Sequence, residues 1–168
     1  MAKKTSKLSI AEKAGGEDKI RLIATNRKAR HEYHILETLE AGIALKGPEV
    51  KSLRSGKISI GEAYGQIKDE ELILLQMFIS PYEQAGEFNT EPRRPRKLLL
   101  HKRQIRRWQA KTEEKGLTIV ALSIYFRAGK AKIEIALARG KRLYDKREAL
   151  ARKDAQRDMY RLRSRRDD

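Results

Sequence analysis

The sequence predicts a mainly β protein: a small closed antiparallel barrel with two or three short helices and a basic C-terminal tail. Three observations predict it. From Ile20 to about Arg139 the apolar residues mostly recur with period two, as in strands that bury one face. The strands are short and separated by Gly, Pro and charged turns, with only two helix-like stretches among them, which suits a small barrel of the OB type. After Arg139 apolar residues thin out while Arg and Lys recur every few positions, so this part cannot build a core of its own.

Taken in order, residues 1–18 are small and charged and contain Gly15-Gly16; a disordered segment is expected. The barrel is assigned to 19–140. Tyr33, Ile35, Glu37 and Leu39 alternate with His34, Leu36, Thr38 and Glu40 as a strand, after which Ala41-Gly42 is expected to turn the chain. Gly47 to Gly56 reads as a helix, with Pro48 in its first turn, Val50 and Leu53 on one face and Gly56 as its stop. Ala63–Ile67 and Leu72–Ile79 form a hairpin around the polar turn at 68–71. Pro81 to Lys97 is expected to be a long loop bearing the basic run 93–97. His101 to Lys115 is a helix with Ile105 and Trp108 inward and Gly116 ending it. Thr118–Phe126 and Lys130–Ala138 are the clearest strands; of the neighbours Tyr125 and Phe126, one points inward and the other is exposed or covered. The tail, 141–168, is expected to be disordered when free. It has a thin apolar stripe (Ala151, Ala155, Met159, Leu162) beside a ridge of Arg157, Arg161 and Arg165, a pattern that folds on binding.

The 168 residues carry 39 Lys and Arg against 23 Asp and Glu, a net charge of +16 with a pI near 10.2. A field of that sign and size points to a polyanionic partner. The longest apolar run, Leu72–Ile79, is too short to span a bilayer, and the N-terminus has no signal-length apolar stretch. With no cysteine, disulfides and thiolate metal sites are excluded, and a cytoplasmic home is expected. His31 and His34 would fall on opposite faces of one strand, so no metal and no cofactor is expected. Gly-Lys-Ser/Thr phosphate loops and Gly-x-Ser-x-Gly elbows are absent, Asp69-Glu70-Glu71 sits in a turn, and Glu37 and Glu40 face opposite ways on one strand. No enzyme is expected.

Two blocks carry the functional reading. Asn26, Arg27, Lys28, Arg30 and His31 lead into a strand, where they would clamp phosphates or simply be solvated. Gly140, Lys141, Arg142, Tyr144, Asp145, Lys146 and Arg147 place an aromatic ring inside a basic cluster, which suits stacking on a base while neutralising phosphates. RNA is the expected partner. A general RNA-coating or ribosome-associated protein is the alternative.

Five segments in unbroken order, 26–33, 40–45, 47–54, 96–102 and 140–147, resemble the family of SsrA-binding proteins, or small protein B. The resemblance implies an OB-like barrel that binds the tRNA-like domain of transfer-messenger RNA in trans-translation, and a tail that becomes helical as it probes the decoding centre and empty mRNA channel of a stalled ribosome. Implied contacts with transfer-messenger RNA are the Asn26–His31 cluster, Glu40 and Lys132. Those with the ribosome are Gly140, Tyr144 and Asp145-Lys146-Arg147, then the basic tail. Tyr144 would stack on a decoding-centre base. A monomer is expected.

Overall fold

The structure, a computed structural model, describes residues 20–164; the segment 1–18, expected to be disordered, lies outside the described residues. The elements run β1 (Ile20–Thr25), α1 (Arg27–Glu32), β2 (Tyr33–Ile43), α2 (Gly47–Arg54), β3 (Ile58–Ser59), β4 (Tyr64–Lys68), β5 (Glu71–Leu75), β6 (Phe78–Ile79), a 3-10 segment (Glu83–Phe88), β7 (Arg96–Leu99), α3 (Lys102–Lys115), β8 (Thr118–Arg127), β9 (Lys130–Gly140) and α4 (Leu143–Ser164). The fold is mainly β. Seven strands form one antiparallel sheet in the order β1-β8-β4-β5-β7-β2-β9, with β9 also paired to β8, and β3 and β6 form a small second sheet.

Alternation along these strands gives the core. Leu72 and Leu74 on β5, Ile119, Ala121 and Ile124 on β8, and Ile133, Ile135 and Leu137 on β9 meet Leu53 of α2 and Trp108 of α3. The expected inward face of α3 is confirmed by burial of Ile105 and Trp108, and the left-handed Gly116 (φ 57°) ends that helix. Both hairpins turn on two residues with positive φ, Asp69-Glu70 and Ala128-Gly129, the geometry that matches the twist of the strands they join. Phe126 points into the core, and Tyr125 is buried on the other face.

Four expectations are corrected. The chain does not turn at Ala41-Gly42. Instead β2 runs on to Ile43, with Gly42 opposite both Lys132 of β9 and Leu99 of β7; a Cβ on Gly42 would come within 3.2 Å of the Leu99 Cβ, so this glycine serves a close strand approach. The single strand expected over Leu72–Ile79 is broken at Gln76 (φ 58°) into β5 and β6. The expected loop 81–97 contains the 3-10 segment and ends in β7. Residues 27–32 do lead into a strand, β2, but as the helix α1, so His31 and His34 do not share a strand.

Within the basic run 93–97, Arg96 is 0% exposed. Its Nε donates to Glu49 Oε1 (2.9 Å), and its two terminal nitrogens donate to the carbonyls of Met77 (2.6 Å) and Pro92 (2.9 Å). Arg94 pairs with the other oxygen of Glu49 at 2.5 Å, and that oxygen also accepts the Lys46 N–H at 2.8 Å. One buried carboxylate thus joins α2 to β7 and to the loop before it.

Candidate nucleic-acid interface

Asn26 positions the first cluster. Its Oδ1 accepts the Ala29 N–H (3.0 Å), which caps α1, and its Nδ2 donates to the carbonyls of Ile60 (3.2 Å), Gly61 (3.4 Å) and Ala121 (3.0 Å). The residue is 4% exposed. The amide of Asn26, expected to contact RNA, is occupied by the fold, where it seats α1 on the sheet. Replacement Asn26→Ala removes a cap and takes the Nδ2 donor from the buried Ala121 carbonyl, an expected loss of about 2–3 kcal/mol, measurable as a lower midpoint of urea unfolding.

With Ala29 buried beneath it, α1 turns Arg27, Lys28, Arg30 and His31 to solvent. Lys28 bonds Glu62 at 2.9 Å, and that contact raises its pKa and lowers that of Glu62. The root of the tail lies against the same helix. Gly140 is opposite Tyr33, the Lys141 N–H donates to the Glu32 carbonyl (2.8 Å), and Lys141 Nζ reaches the Arg30 carbonyl (3.4 Å). Asp145 Oδ2 accepts the Arg142 N–H (3.2 Å) and lies 3.6 Å from His34 Nε2. Beyond that root α4 extends with Tyr144 and Arg147 exposed, Tyr144 at 74%, and with Lys146 partly covered. The cations of α1 and the start of the tail thus form one surface, an adjacency that no local sequence signal announces.

Glu40 and Lys132 lie elsewhere. Seven residues separate Tyr33 from Glu40 on β2, about 23 Å of strand. Register places Glu40 opposite Glu134, and Lys132 beside Tyr125. Two carboxylates facing each other across strands repel, and their neighbours offset this: Tyr125 donates its hydroxyl to Glu40 Oε2 (2.5 Å), Arg127 lies 3.5 Å from the same oxygen, Lys132 lies 3.7 Å from Oε1, and Ser123 donates to Glu134 (3.0 Å). Burial first, then the bond to Glu40, push the Tyr125 phenol well above its ordinary pKa, so it is a neutral donor. An adjoining open cleft of about 640 Å³ has a lining of mixed charge, with Glu40, Asp69, Glu70 and Glu71 beside Lys97, Lys102 and Lys132. Sequence reasoning missed Lys97, Leu99 and Tyr125 as site residues. The run Leu98-Leu99-Leu100 hides the alternation that buries Leu98 and exposes Leu99.

No group of three or more His, Asp or Glu is placed to hold a metal among the described residues, and none of their helices is long and apolar enough to cross a membrane. What the arrangement offers is two charged surfaces at a fixed spacing on a rigid sheet, one of them continuous with a basic helix. It defines a mainly β body with a cationic surface at α1 and the tail root and a separate cleft of mixed charge beside Glu40. A sequence model described as SmpB protein matches residues 23–165, and the chain belongs to that family. It is similar to the SsrA-binding proteins of Carboxydothermus hydrogenoformans (58% identical over 139 residues, 83% of this chain and 93% of that one) and Pelotomaculum thermopropionicum (54% over 142 residues, 84% and 93%). Among solved structures it resembles a chain in "tmRNA-SmpB: a journey to the center of the bacterial ribosome", at 53% identity and a TM-score of 0.61, over 76% of this chain and 93% of that one.

Proposed function

We propose that this chain is the RNA-binding adaptor of trans-translation: it binds the tRNA-like domain of transfer-messenger RNA and delivers it to stalled ribosomes. It acts by binding and is not an enzyme. The observation that carries the reading is the fastening of the tail root to α1, because the cations that would hold the RNA and the helix that would enter the ribosome then share one anchor. The names of its SsrA-binding relatives and the solved tmRNA–SmpB structure support both partners.

In this reading residues 19–140 are an OB-like closed barrel, supported by the pairings that lead from β8 through β4, β5, β7, β2 and β9 back to β8. Arg27, Lys28, Arg30 and His31 meet the RNA backbone on one side. Lys132 and the cleft beside Glu40 meet it on the other, where the Glu40 carboxylate accepts a ribose hydroxyl or a base N–H. Recognition is then of shape and spacing, as suits a folded RNA. Gly140 to Arg147 serve the ribosome: Tyr144 stacks on a base of the decoding centre, and Lys141, Arg142, Lys146 and Arg147 neutralise phosphate. Residues beyond Arg147 enter the empty mRNA channel, so an mRNA in place would exclude them. The adaptor works as a monomer in the cytoplasm.

Equilibrium binding to transfer-messenger RNA and to an ordinary tRNA over a salt series tests the reading. If Arg27, Lys28, Arg30 and Lys132 each neutralise one phosphate, they contribute about −3 to −4 to the slope of log affinity against log salt. A preference for transfer-messenger RNA that survives high salt is expected. Equal and equally salt-sensitive binding to both RNAs would leave the +16 charge as the whole explanation and favour general RNA coating.

A further inference from the structure

The segment between β6 and β7 differs in character from the rest of the chain. Phe88 is 83% exposed, whereas the other exposed large apolar side chains of the body run from 42% to 54%. The backbone that holds it is tightly fixed. Asn89 Oδ1 accepts the Tyr82 N–H (2.8 Å), and Asn89 Nδ2 donates to the Tyr82 carbonyl (2.8 Å) and the Gly86 carbonyl (3.1 Å). At its foot, the Ser80 N–H bonds the Lys57 carbonyl, the Ile79 N–H bonds the Pro92 carbonyl, and Lys51 lies 5.2 Å above the Tyr82 ring. Gly86 makes the kink with φ 50° and ψ −123°, a conformation that favours glycine. Ordering a surface loop costs conformational entropy at each residue, and here that order holds an aromatic ring out in water.

The charge of the segment is reversed as well. Between Glu83 and Glu91 there are three glutamates and no lysine or arginine, in a chain of net charge +16. The arginines that follow are turned to the protein: Arg93 donates to Gln76 and lies over the Phe78 ring, and Arg94 is paired with Glu49. Glu83 is paired with Lys57 at 3.3 Å, which leaves Glu87, next to Phe88, and Glu91 as the acidic groups of the loop. An exposed ring flanked by two glutamates suits a protein surface that is positively charged and has an apolar pocket.

We propose that the loop 82–91 is a docking tip for a basic protein surface in the stalled-ribosome complex, with Phe88 as the anchor in an apolar pocket and Glu87 and Glu91 matching lysines and arginines at its rim. This rests on the adaptor reading for the place where the partner is met. The docking tip is a third surface, separate from α1 and from the Glu40–Lys132 cleft.

The test uses the full chain with a photoreactive benzoylphenylalanine in place of Phe88, assembled with transfer-messenger RNA on purified stalled ribosomes and irradiated. The expected product is a cross-link to one ribosomal protein, mapped to a segment rich in Lys and Arg and weakened about tenfold by the double charge reversal Glu87→Lys, Glu91→Lys. Cross-links to RNA or to a second copy of the chain, or none at all, overturn the proposal. In parallel, Phe88→Ala should lower the rate of peptide tagging about tenfold, the scale of a lost anchor residue, with Phe88→Tyr close to the parent. Unchanged tagging by Phe88→Ala would also overturn it. Affinity for transfer-messenger RNA, measured on the same variants, should not move; its absence in the parent chain would instead count against the adaptor reading.

Discussion

Truncation before Arg147 leaves affinity for transfer-messenger RNA within about twofold of the full chain and abolishes peptide tagging on stalled ribosomes. The reason lies in where the tail is attached. Its fastenings to α1, through Gly140 and Lys141, come before the cut, as does the approach of Asp145 to His34. The removed residues carry eight Lys and Arg against five Asp and Glu, a net +3 of the +16. Were RNA binding a matter of total charge, that loss would show as a weaker salt slope and a clear fall in affinity. Were it a matter of the two body surfaces, the loss would be small. A filter-binding titration of both chains separates the cases, and a fall of more than tenfold in affinity for transfer-messenger RNA would defeat the division of labour between body and tail.

Replacement of Glu49 by alanine has the largest expected effect on stability. Glu49 is 4% exposed and receives hydrogen bonds from Arg94, Arg96 and the Lys46 N–H. Removing one partner of a buried pair leaves the other charge uncompensated, a cost of about 3–5 kcal/mol, against about 5–15 kcal/mol for a whole domain. Arg96 would then stand in the interior with its carbonyl acceptors alone. Chemical denaturation reads the loss directly, and a change below about 1 kcal/mol would mean that the carbonyls of Met77 and Pro92 are enough to hold Arg96. The same group gives a dependence on acid. Burial pushes the Glu49 carboxyl up, but the hydrogen bonds from Arg94 and Lys46 and the charges of Arg96 and Arg94 outweigh it and hold the pKa below the usual value. A lowered native pKa contributes stability above the unfolded value of about 4.3 and loses it as pH falls through the native one. The gap in stability between the parent and Glu49→Gln should therefore be full at pH 6 and shrink below about pH 4.

Much of this fold was legible because its signals are local. Pro48 and Gly56 bracket α2, Gly116 stops α3, and Arg127-Ala128-Gly129 parts the two long apolar strands of the β8–β9 hairpin, whose register shifts between Ala121 and Ser123. What was not legible depends on contacts between distant residues. Six residues with Ala29 as the one apolar side chain cannot show the apolar period of a helix, so α1 was hidden; it exists because Asn26 caps it and is itself held by carbonyls from 34 to 95 residues away. Arg96 reads as surface charge in a basic run, and only its pairing with Glu49, 47 residues earlier, makes burial tolerable. The interface divides in the same way. The cations at 27–31 and 139–147 are plain as charge, but their meeting on one surface needed the pairing of β2 with β9. Glu40, Tyr125 and Lys132 come together through strand register alone.

The junction at Glu32 and Lys141 has a mechanical consequence. Helix α4 spans 22 residues, which makes it about 33 Å long, and the hydrogen bonds that tie its root to α1 are made by Lys141, two residues before it starts. It is a pointer on a short pivot. A tilt of about 10° at the pivot sweeps the far end of a rod of that length through about 6 Å, roughly the 5.4 Å pitch of one helical turn. A load placed on α1 would thus be geared up along the rod, so whatever α1 grips would set the aim of the tip.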